Sequence, residues 1–169
     1  MSRRYVNSSA EISDDGIYRY RLDRRWGQGL AGVLWVMLNP STADAAVDDP
    51  TIRRCVSFAD RWGFDRTTIV NLYAYRATSP AVLLDVSDPV GPENANVIRE
   101  VIGRHVGPIV FAWGASVEKI AYKRGRLNPA FWCHDDQRPM ALGYTKTGHP
   151  RHPLYVPADV SLVPVTVAR

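Results

Sequence analysis

The sequence predicts an α/β protein, a three-layer α/β/α sandwich with a mostly parallel central sheet. Three apolar runs, in "VLWVML", "TTIVNLYAYR" and "PIVFAWG", are typical of strands that are covered on both faces. Segments of helical periodicity separate these runs, and strands that alternate with helices form parallel sheets. The 169 residues suffice for one domain with a sizeable core. We therefore expect a flexible N-terminal segment over residues 1–15 and a single α/β domain over residues 16–169.

The first strand is expected in "GIYRYRLDRRW", where apolar side chains alternate with Arg19, Arg21 and Asp23. An alternation of period two indicates a half-exposed strand, so the arginines are expected on the solvent face. "GQGLAG" then forms a turn, and "VLWVML" follows as a central strand.

Three helices are predicted after this central strand. The first lies in "DDPTIRRCVSFADRWGF", with Asp49 or Thr51 as N-cap and Gly63 at its end. The second lies in "GPENANVIREVIGRHVG", with Pro92 near its start, and the third in "ASVEKIAYKRGR", whose basic end suits the helix dipole. Beyond them, "AFWCH" and "PMALG" are interpreted as short strands, "GHPRHPLYVP" as a loop, and "VSLVPVTVAR" as a strand or an extended tail.

Composition narrows the class of protein. No apolar run approaches the roughly 20 residues of a membrane helix, and "MSRRYVNSSAEISDDG" lacks the apolar region of a secretory signal. Cys55 and Cys133 stand alone, which indicates reduced thiols rather than a Cys-rich metal or iron–sulfur site. "WCHDDQ" is interpreted as a polar turn, because neighbours on a strand point to opposite faces and cannot converge on a metal. We expect a cytoplasmic monomer without metal or organic cofactor and without membrane contact.

The charge pattern permits a nucleic-acid partner. The net charge of +4 is compatible with a polyanion, although many other proteins share it. Basic residues of the predicted helices are interpreted as solvated faces: Arg53, Arg54, Lys123, Arg124 and Arg126.

Polar and aromatic residues follow the three core strands at their carboxyl ends. They are Asn39, Pro40 and Ser41 after the first, Asn71 and Tyr73 after the second, and Trp113 and Gly114 after the third. In a parallel sheet these ends open onto one edge, where ligands bind. Asn-Pro alone is typical of a turn, so the later His149–Tyr155 loop matters, because it can close over the same edge.

The order of "LNPS", "VNLYAYRAT", "VFAWG" and "HPRHPLY" resembles the motif order of the uracil-DNA glycosylase superfamily. The chain also closely resembles an uncharacterised bacterial and phage domain family with the signature "LNPSTAD…DPTIRR…NLYAYRAT…AWG…HPLY", from about Arg19 to Val156. The first resemblance implies a uracil-DNA glycosylase-like fold and a site at the carboxyl edge of the sheet.

The glycosylase resemblance also implies roles for individual residues. Asn39 matches the residue that positions the attacking water, and Ser41 leaves room where a strictly uracil-specific branch has a bulky Tyr. Asn71 matches the amide that reads the pyrimidine edge, since one amide offers both a donor and an acceptor. Trp113 or Tyr73 can supply an aromatic face for a flipped base, although both also suit packing. Lys146 can meet a phosphate as a point charge or be an ordinary exposed lysine.

The histidine loop leaves an alternative open. His152, or else His149, matches the residue that stabilises the departing base, and Leu154 matches the wedge that fills the place of a flipped nucleotide. The superfamily loop has one residue between His-Pro and Pro-Leu, whereas two residues, Arg151 and His152, stand here. One of the two roles must therefore shift along the loop.

These observations predict a protein that recognises a nucleobase and hydrolyses an N-glycosidic bond of a modified or mismatched base in DNA. Two alternatives remain open: a non-catalytic nucleic-acid-binding module of the same fold, and an enzyme that acts on free nucleotides or other small molecules. A DNA-binding protein should lose affinity steeply as salt rises, whereas a small-molecule enzyme should bind DNA weakly and without such dependence.

Overall fold

The structure is a computed structural model that describes residues 4–124 and 128–165. Its strands are β1 (Asn7–Ile12), β2 (Arg19–Arg25), β3 (Val33–Met37), β4 (Arg66–Asn71), β5 (Ile109–Phe111), β6 (Met140–Ala141) and β7 (Val163–Pro164). Its α-helices are α1 (Pro50–Arg61), α2 (Asn94–Arg104) and α3 (Val117–Arg124), and 3₁₀ turns cover Pro80–Leu84, Pro129–Trp132 and Pro153–Tyr155. The predicted α/β class is confirmed.

The strands form one mixed sheet in the order β1-β2-β4-β3-β5-β6-β7. The four central strands β4, β3, β5 and β6 are mutually parallel, whereas β1, β2 and β7 add antiparallel neighbours at the two sides. The expectation of a mostly parallel sheet is therefore correct only for its centre. A short turn joins β1 to β2, and such a connection can only produce an antiparallel pair.

The N-terminal segment differs from the prediction. Residues 7–12, expected to be flexible, form the edge strand β1, which pairs with β2 from Asn7 opposite Arg25 to Ile12 opposite Arg19. Its sequence "NSSAEI" is mostly polar and its side chains alternate between exposed and half-buried. Backbone pairing with β2 forms this strand, and the local sequence carries little hydrophobic signal of it.

The core lies on both faces of the sheet, and β3 contributes to both sides. Val33, Trp35 and Met37 pack against α1, whereas Leu34 and Val36 pack in a second cluster that includes residues of α2 and α3. Every residue of β3 is buried, as its unbroken apolar run predicts. Helices therefore cover both faces of the central strands.

The predicted helices are confirmed, and their ends have local causes. Asp49 caps α1, because its Oδ1 accepts a hydrogen bond from the Ile52 N–H at 2.9 Å. The strand expected in "AFWCH" is wrong: Pro129–Trp132 is a 3₁₀ turn that Asn128 caps through the Ala130 N–H. The predicted tail strand is confirmed over Val163–Pro164 only, and its residues 166–169 lie outside the described ones.

Two further findings concern cysteines and membranes. Cys55 and Cys133 are both free, which agrees with the prediction of reduced thiols. Across residues 4–124 and 128–165, no helix combines the length and the apolar character needed to cross a membrane.

The sheet topology brings the ends of several strands to one edge. The carboxyl ends of β3, β4, β5 and β6 meet there because these strands are parallel. Strand β2 runs the other way, so its first residue, Arg19, lies at the same edge, where its N–H donates to the carbonyl of Ala74 beyond β4.

Candidate functional site

A cavity of about 620 Å³ opens beyond the carboxyl ends of β3, β4 and β5. Its volume falls in the range of about 300–1,000 Å³ that is typical of small-molecule sites. Seven of the residues singled out from the sequence line it: Asn39, Ser41, Asn71, Trp113, Gly114, His152 and Leu154. Three strand ends and the His loop, which are far apart in the sequence, thus converge on one space.

Four other predicted site residues lie outside the cavity lining. Pro40 is buried beneath the Asn39 turn, and Tyr73 belongs to the core cluster on the α2 side of the sheet. Lys146 is exposed on a turn, and His149 is half-buried in the same turn, where its N–H donates to Thr145 Oγ1 at 3.1 Å. The turn therefore presents His152, and not His149, to the cavity.

Asn39 is held by two backbone carbonyls. Its Nδ2 donates to the carbonyl of Ala77 at 2.8 Å and to that of Pro40 at 3.1 Å. Carbonyl oxygens can only accept, so the amide nitrogen must occupy this side of the group. The Oδ1 atom is then the part of the Asn39 amide that is available to accept a hydrogen bond from a water or a ligand in the cavity.

Asn71 ends β4 as a buried side chain at the floor of the cavity. Its backbone carbonyl accepts from Nδ2 of Asn94 at 2.9 Å, and Asn94 donates to the carbonyl of Leu72 at 3.1 Å as well. Asn94 starts α2, so these bonds fasten the helix to the end of the strand. The backbone that carries Asn71 is therefore rigidly placed.

Arg19 also lines the cavity, although the alternation of β2 predicted a solvent-facing side chain. Only 2% of the residue is exposed. Its Nη1 donates to the carbonyl of Ala43 at 2.9 Å, and its Nη2 donates to Oδ1 of Asn71 at 3.4 Å. Burial lowers its pKa to about 10, a shift that nearby Asp49 opposes, so the group is a cation at neutral pH. The guanidinium turns Oδ1 of Asn71 towards itself and leaves Nδ2 free to donate to a ligand.

The loop between β3 and α1 brings a carboxylate to the cavity. Asp49, the N-cap of α1, is only 8% exposed and lines the cavity. The adjacent Asp48 forms an ion pair with the buried Arg24 at 2.7 Å, and Tyr5 donates to the other oxygen of Asp48. Arg24 anchors the loop to β2 in this way, which fixes the position of Asp49.

His152 precedes the 3₁₀ turn Pro153–Tyr155 and is mostly buried. Its Nδ1 accepts a hydrogen bond from the N–H of Leu154 at 3.3 Å, which assigns the proton of the neutral ring to Nε2. Burial lowers the pKa of His152 to about 4, and the charge of Asp49 opposes this shift. At neutral pH the ring is therefore an uncharged group with an Nε2–H donor.

Hydrogen bonds from Arg54 and Gly114 hold the His loop against α1 and the end of β5. Arg54 of α1 donates from Nη2 to the carbonyl of Val156 at 2.7 Å and from Nε to that of Pro153 at 3.3 Å. The N–H of Gly114 donates to the carbonyl of Pro150 at 2.9 Å. Arg54 was expected on a solvated helix face, but its guanidinium is half-buried and positions the turn that carries His152 and Leu154.

Gly114 is required for the close approach of the His loop. Its φ of +75° lies in the left-handed region, and a Cβ at this position would stand 3.2 Å from Cβ of His152. The glycine thus lets the end of β5 and the His loop meet.

Apolar side chains mark the rim of the cavity. Leu154 is 41% exposed and Tyr155 is 74% exposed, and both line the opening. The Tyr155 ring lies 5.5 Å from the ring of His152, and the ring of Trp113 packs on Phe111 at 5.0 Å. Because the 3₁₀ turn is tight, it brings both His152 and Leu154 to the cavity despite their short separation in sequence.

Sequence reasoning missed three site residues and gave a fourth only part of its role. Arg19 was hidden because alternation cannot reveal that a strand is covered on both faces near its start. Asp49 was identified as an N-cap, but not as a cavity residue. Arg54 and Asn94 act through backbone carbonyls, which carry no side-chain signature. The acidic pair before the first helix, in "DDPT", was the available signal for Asp49.

Comparison with known proteins gives a family without a known activity. Neither the curated proteins nor the solved structures contain a match to the chain. One protein family matches residues 19–154, and it is described as "Protein of unknown function (DUF1643)". This range spans the candidate site from Arg19 to Leu154, with Tyr155 of the rim directly after it, and most of the chain, so the protein belongs to the DUF1643 family.

Proposed function

We propose that this protein recognises a nucleobase and hydrolyses its N-glycosidic bond, as a DNA glycosylase acting on a modified or mismatched base. The observation that carries the proposal is that Asn39, Asn71 and His152 line one cavity at the carboxyl edge of the sheet. The motif order that resembles the uracil-DNA glycosylase superfamily supports the same reading. We extend the proposal to the fold, a three-layer sandwich of that superfamily's type, which the helices on both sheet faces support.

The available atoms suit this reaction. Oδ1 of Asn39 can accept from a water, since its Nδ2 is held by two carbonyls. Nδ2 of Asn71 can donate to a carbonyl oxygen of the base, since its Oδ1 faces Arg19. Glycoside cleavage passes through an oxocarbenium-like state, in which the departing base takes the bonding electrons. Both Asn71 and Nε2–H of His152 can donate to the negative charge that develops on that base.

The buried Arg19 supports an anionic leaving group. A guanidinium behind Asn71 polarises that amide and lowers the free energy of a negative charge in the cavity. Neutral His152 adds a donor without the desolvation cost of a second buried cation.

The rim suits a nucleic-acid substrate. An enzyme that acts on a base in a duplex must extrude the nucleotide and fill the space it leaves. Leu154 stands exposed at the opening with Tyr155 beside it, so an apolar side chain is available as a wedge and an aromatic ring for stacking. The net charge of +4 favours approach to a polyanion.

The proposal includes the setting of the reaction. The protein is a cytoplasmic monomer that needs neither metal nor organic cofactor for this hydrolysis. Its two free cysteines are consistent with a reducing compartment. Size-exclusion chromatography with light scattering tests the monomeric state.

The direct test is an excision assay on duplexes that carry uracil, hypoxanthine or mismatched thymine, with abasic sites cleaved by alkali. We expect excision of at least one of these bases and a loss of about 100-fold or more in Asn39→Ala, because a positioned polar group is removed. Asn96→Ala, at an exposed asparagine of α2, is the matched control and should retain the wild-type rate.

Other results of this assay, taken with DNA binding measured at several salt concentrations and with cleavage of free nucleosides, favour the other two functions. Salt-sensitive DNA binding without excision would identify a non-catalytic binding module. Cleavage of free nucleosides or nucleotides, with weak and salt-insensitive DNA binding, would identify a small-molecule enzyme. Both results would contradict the DNA glycosylase proposal.

A further inference from the structure

Asp49 combines burial with an incomplete set of partners. Its Oδ1 accepts from the Ile52 N–H at 2.9 Å, and no other donor among the described residues bonds to its carboxylate. No arginine, lysine or histidine within the described ranges forms an ion pair with it. Among the described side chains that line the cavity, Asp49 is the sole acidic one. Its second oxygen, Oδ2, therefore has no hydrogen-bond partner among the described residues, on a side chain that lines the cavity.

The cap role alone does not account for this arrangement. An N-cap stabilises a helix equally well as Asn or Ser, without the cost of burying a charge. Most helix caps lie at the surface, whereas Asp49 is 8% exposed and shares its cavity with Arg19 and His152. Buried carboxylates in clefts beside other polar groups are frequent at catalytic sites.

Asn39 leaves a step of the reaction unassigned. Its amide can hold a water through Oδ1, but an amide does not take up a proton at neutral pH. A water that attacks a sugar carbon must lose a proton during or after the attack. A carboxylate beside the water is the usual acceptor.

We propose that Asp49 is the general base of the site, which accepts a proton from the water that Asn39 orients; this assignment rests on the proposed glycosidic hydrolysis. The water oxygen bonds to the anomeric carbon of the sugar, and the bond from that carbon to the base nitrogen breaks. The bonding electron pair leaves with the base, whose negative charge Asn71 and His152 stabilise. The water's second proton remains on the new sugar hydroxyl. The proton on Asp49 passes to the departed base or to solvent, so one water is consumed per bond.

The surrounding structure keeps Asp49 fixed for this role. Oδ1 is held by the first turn of α1, and the preceding residue, Asp48, is pinned by the buried Arg24 at 2.7 Å. A fixed carboxylate loses little entropy when it meets its water, which is how positioned groups accelerate reactions.

Asp49→Asn separates the proton-accepting role of Asp49 from its helix-capping role. Asn is as good an N-cap as Asp, so the helix start is kept while the proton acceptor is lost. We expect the single-turnover excision rate to fall by about 10²–10⁴-fold, which is the usual contribution of a general base. The dissociation constant for substrate duplex should change by less than about threefold. Asp44→Asn is the matched control: Asp44 lies on the same loop but outside the cavity lining and accepts from the N–H groups of Ala46 and Val47, and its variant should keep the wild-type rate.

Chemical rescue supplies the second readout. Asp49→Ala removes both the helix-capping oxygen and the proton acceptor. About 100 mM formate should restore part of the excision rate of this variant, whereas chloride at the same ionic strength should not. Asp49→Ser, which keeps a capping oxygen, replaces Asp49→Asn if thermal melting shows that the latter is unfolded.

The possible outcomes are distinct. If the Asp49→Asn variant excises slowly but binds substrate duplex normally, and formate rescues Asp49→Ala, the role of Asp49 as general base is supported. If Asp49→Asn or Asp49→Ser excises at the wild-type rate, the role of Asp49 is overturned and the glycosylase proposal stays intact. If the wild-type protein neither excises a base from a duplex nor cleaves a nucleoside, both the role of Asp49 and the glycosylase proposal are overturned.

Discussion

Nη2 of the buried Arg19 donates a hydrogen bond to Oδ1 of Asn71 over 3.4 Å. The pair joins the start of an antiparallel strand to the end of a parallel one, at the floor of the cavity. Because a guanidinium can only donate, this contact determines which end of the Asn71 amide faces a ligand.

Asn71→Leu should destabilise the protein by about 1–3 kcal/mol, because a buried cation loses an acceptor. Asn96→Leu is the matched control: Oδ1 of Asn96 accepts from Arg99 at 3.3 Å, but on the exposed face of α2. It should cost less than about 0.5 kcal/mol. Urea unfolding measures both changes, and equal costs would show that the Arg19–Asn71 contact adds no stability through its burial.

Gly114→Ala should disturb His152 as well as the backbone. Gly114 and Gly63 both have positive φ, +75° and +82°, so alanine at either position should cost about 1 kcal/mol. A Cβ at Gly114 meets Cβ of His152 at 3.2 Å, whereas a Cβ at Gly63 meets nothing within 4 Å. Only Gly114→Ala should therefore shift the His152 ring signals in NMR and slow excision. Unchanged His152 signals in a folded Gly114→Ala would contradict this.

Arg54→Met should loosen the His loop while it keeps an unbranched side chain of similar length on α1. The guanidinium lies 4.7 Å from the ring centre of Phe58 and donates to the carbonyls of Pro153 and Val156. Loss of these donors should cost about 1–3 kcal/mol and lower the excision rate through the displaced His152. Arg61→Met, at an exposed arginine of the same helix, should change neither quantity. A wild-type rate in Arg54→Met would mean that the loop holds its position without Arg54.

Stability should depend on pH through His152. Its pKa is about 4 in the folded protein against an ordinary value of 6.5. Above pH 6.5 both the folded and the unfolded forms hold a neutral ring, so the full stability is present. As the pH falls from 6.5 towards 4, the unfolded chain takes up a proton that the folded protein excludes, and stability falls.

His152→Gln removes this contribution. Its free energy of unfolding, measured in urea at several pH values, should fall less than that of the wild type between pH 6.5 and 4. Parallel curves for the two proteins over this range would show that His152 is not buried as a neutral group.

Much of the fold followed from local patterns. The unbroken apolar run of β3 predicted a strand buried on both faces, and the stripe and cap of α1 predicted that helix within a few residues. The strand β1 could not be predicted in the same way, because "NSSAEI" has only a short apolar face, Ala10 and Ile12, and pairs through its backbone. The antiparallel sides of the sheet likewise depend on chain connections rather than on residue type.

Some residues of the candidate site could be predicted from the sequence and others could not. Asn39 and Asn71 could be found because they follow buried strands whose parallel arrangement brings their ends together. Arg19 could not, since its burial depends on an antiparallel neighbour and on the loop at Ala43 that covers it. Tyr73 was open to two readings, a stacking face or a packing residue, and it lies buried in the core cluster that includes residues of α2 and α3.

The most direct test of hydrolysis is excision in H₂¹⁸O followed by mass spectrometry of both products. Wild-type protein is incubated with duplexes that carry uracil, hypoxanthine or mismatched thymine, next to Asn39→Ala. We expect a free base without heavy oxygen from the wild type and, after immediate borohydride reduction, one ¹⁸O in the abasic sugar. The Asn39→Ala variant should release at least about 100-fold less. No free base from any duplex, or equal release by both proteins, would contradict the proposed function of this cavity.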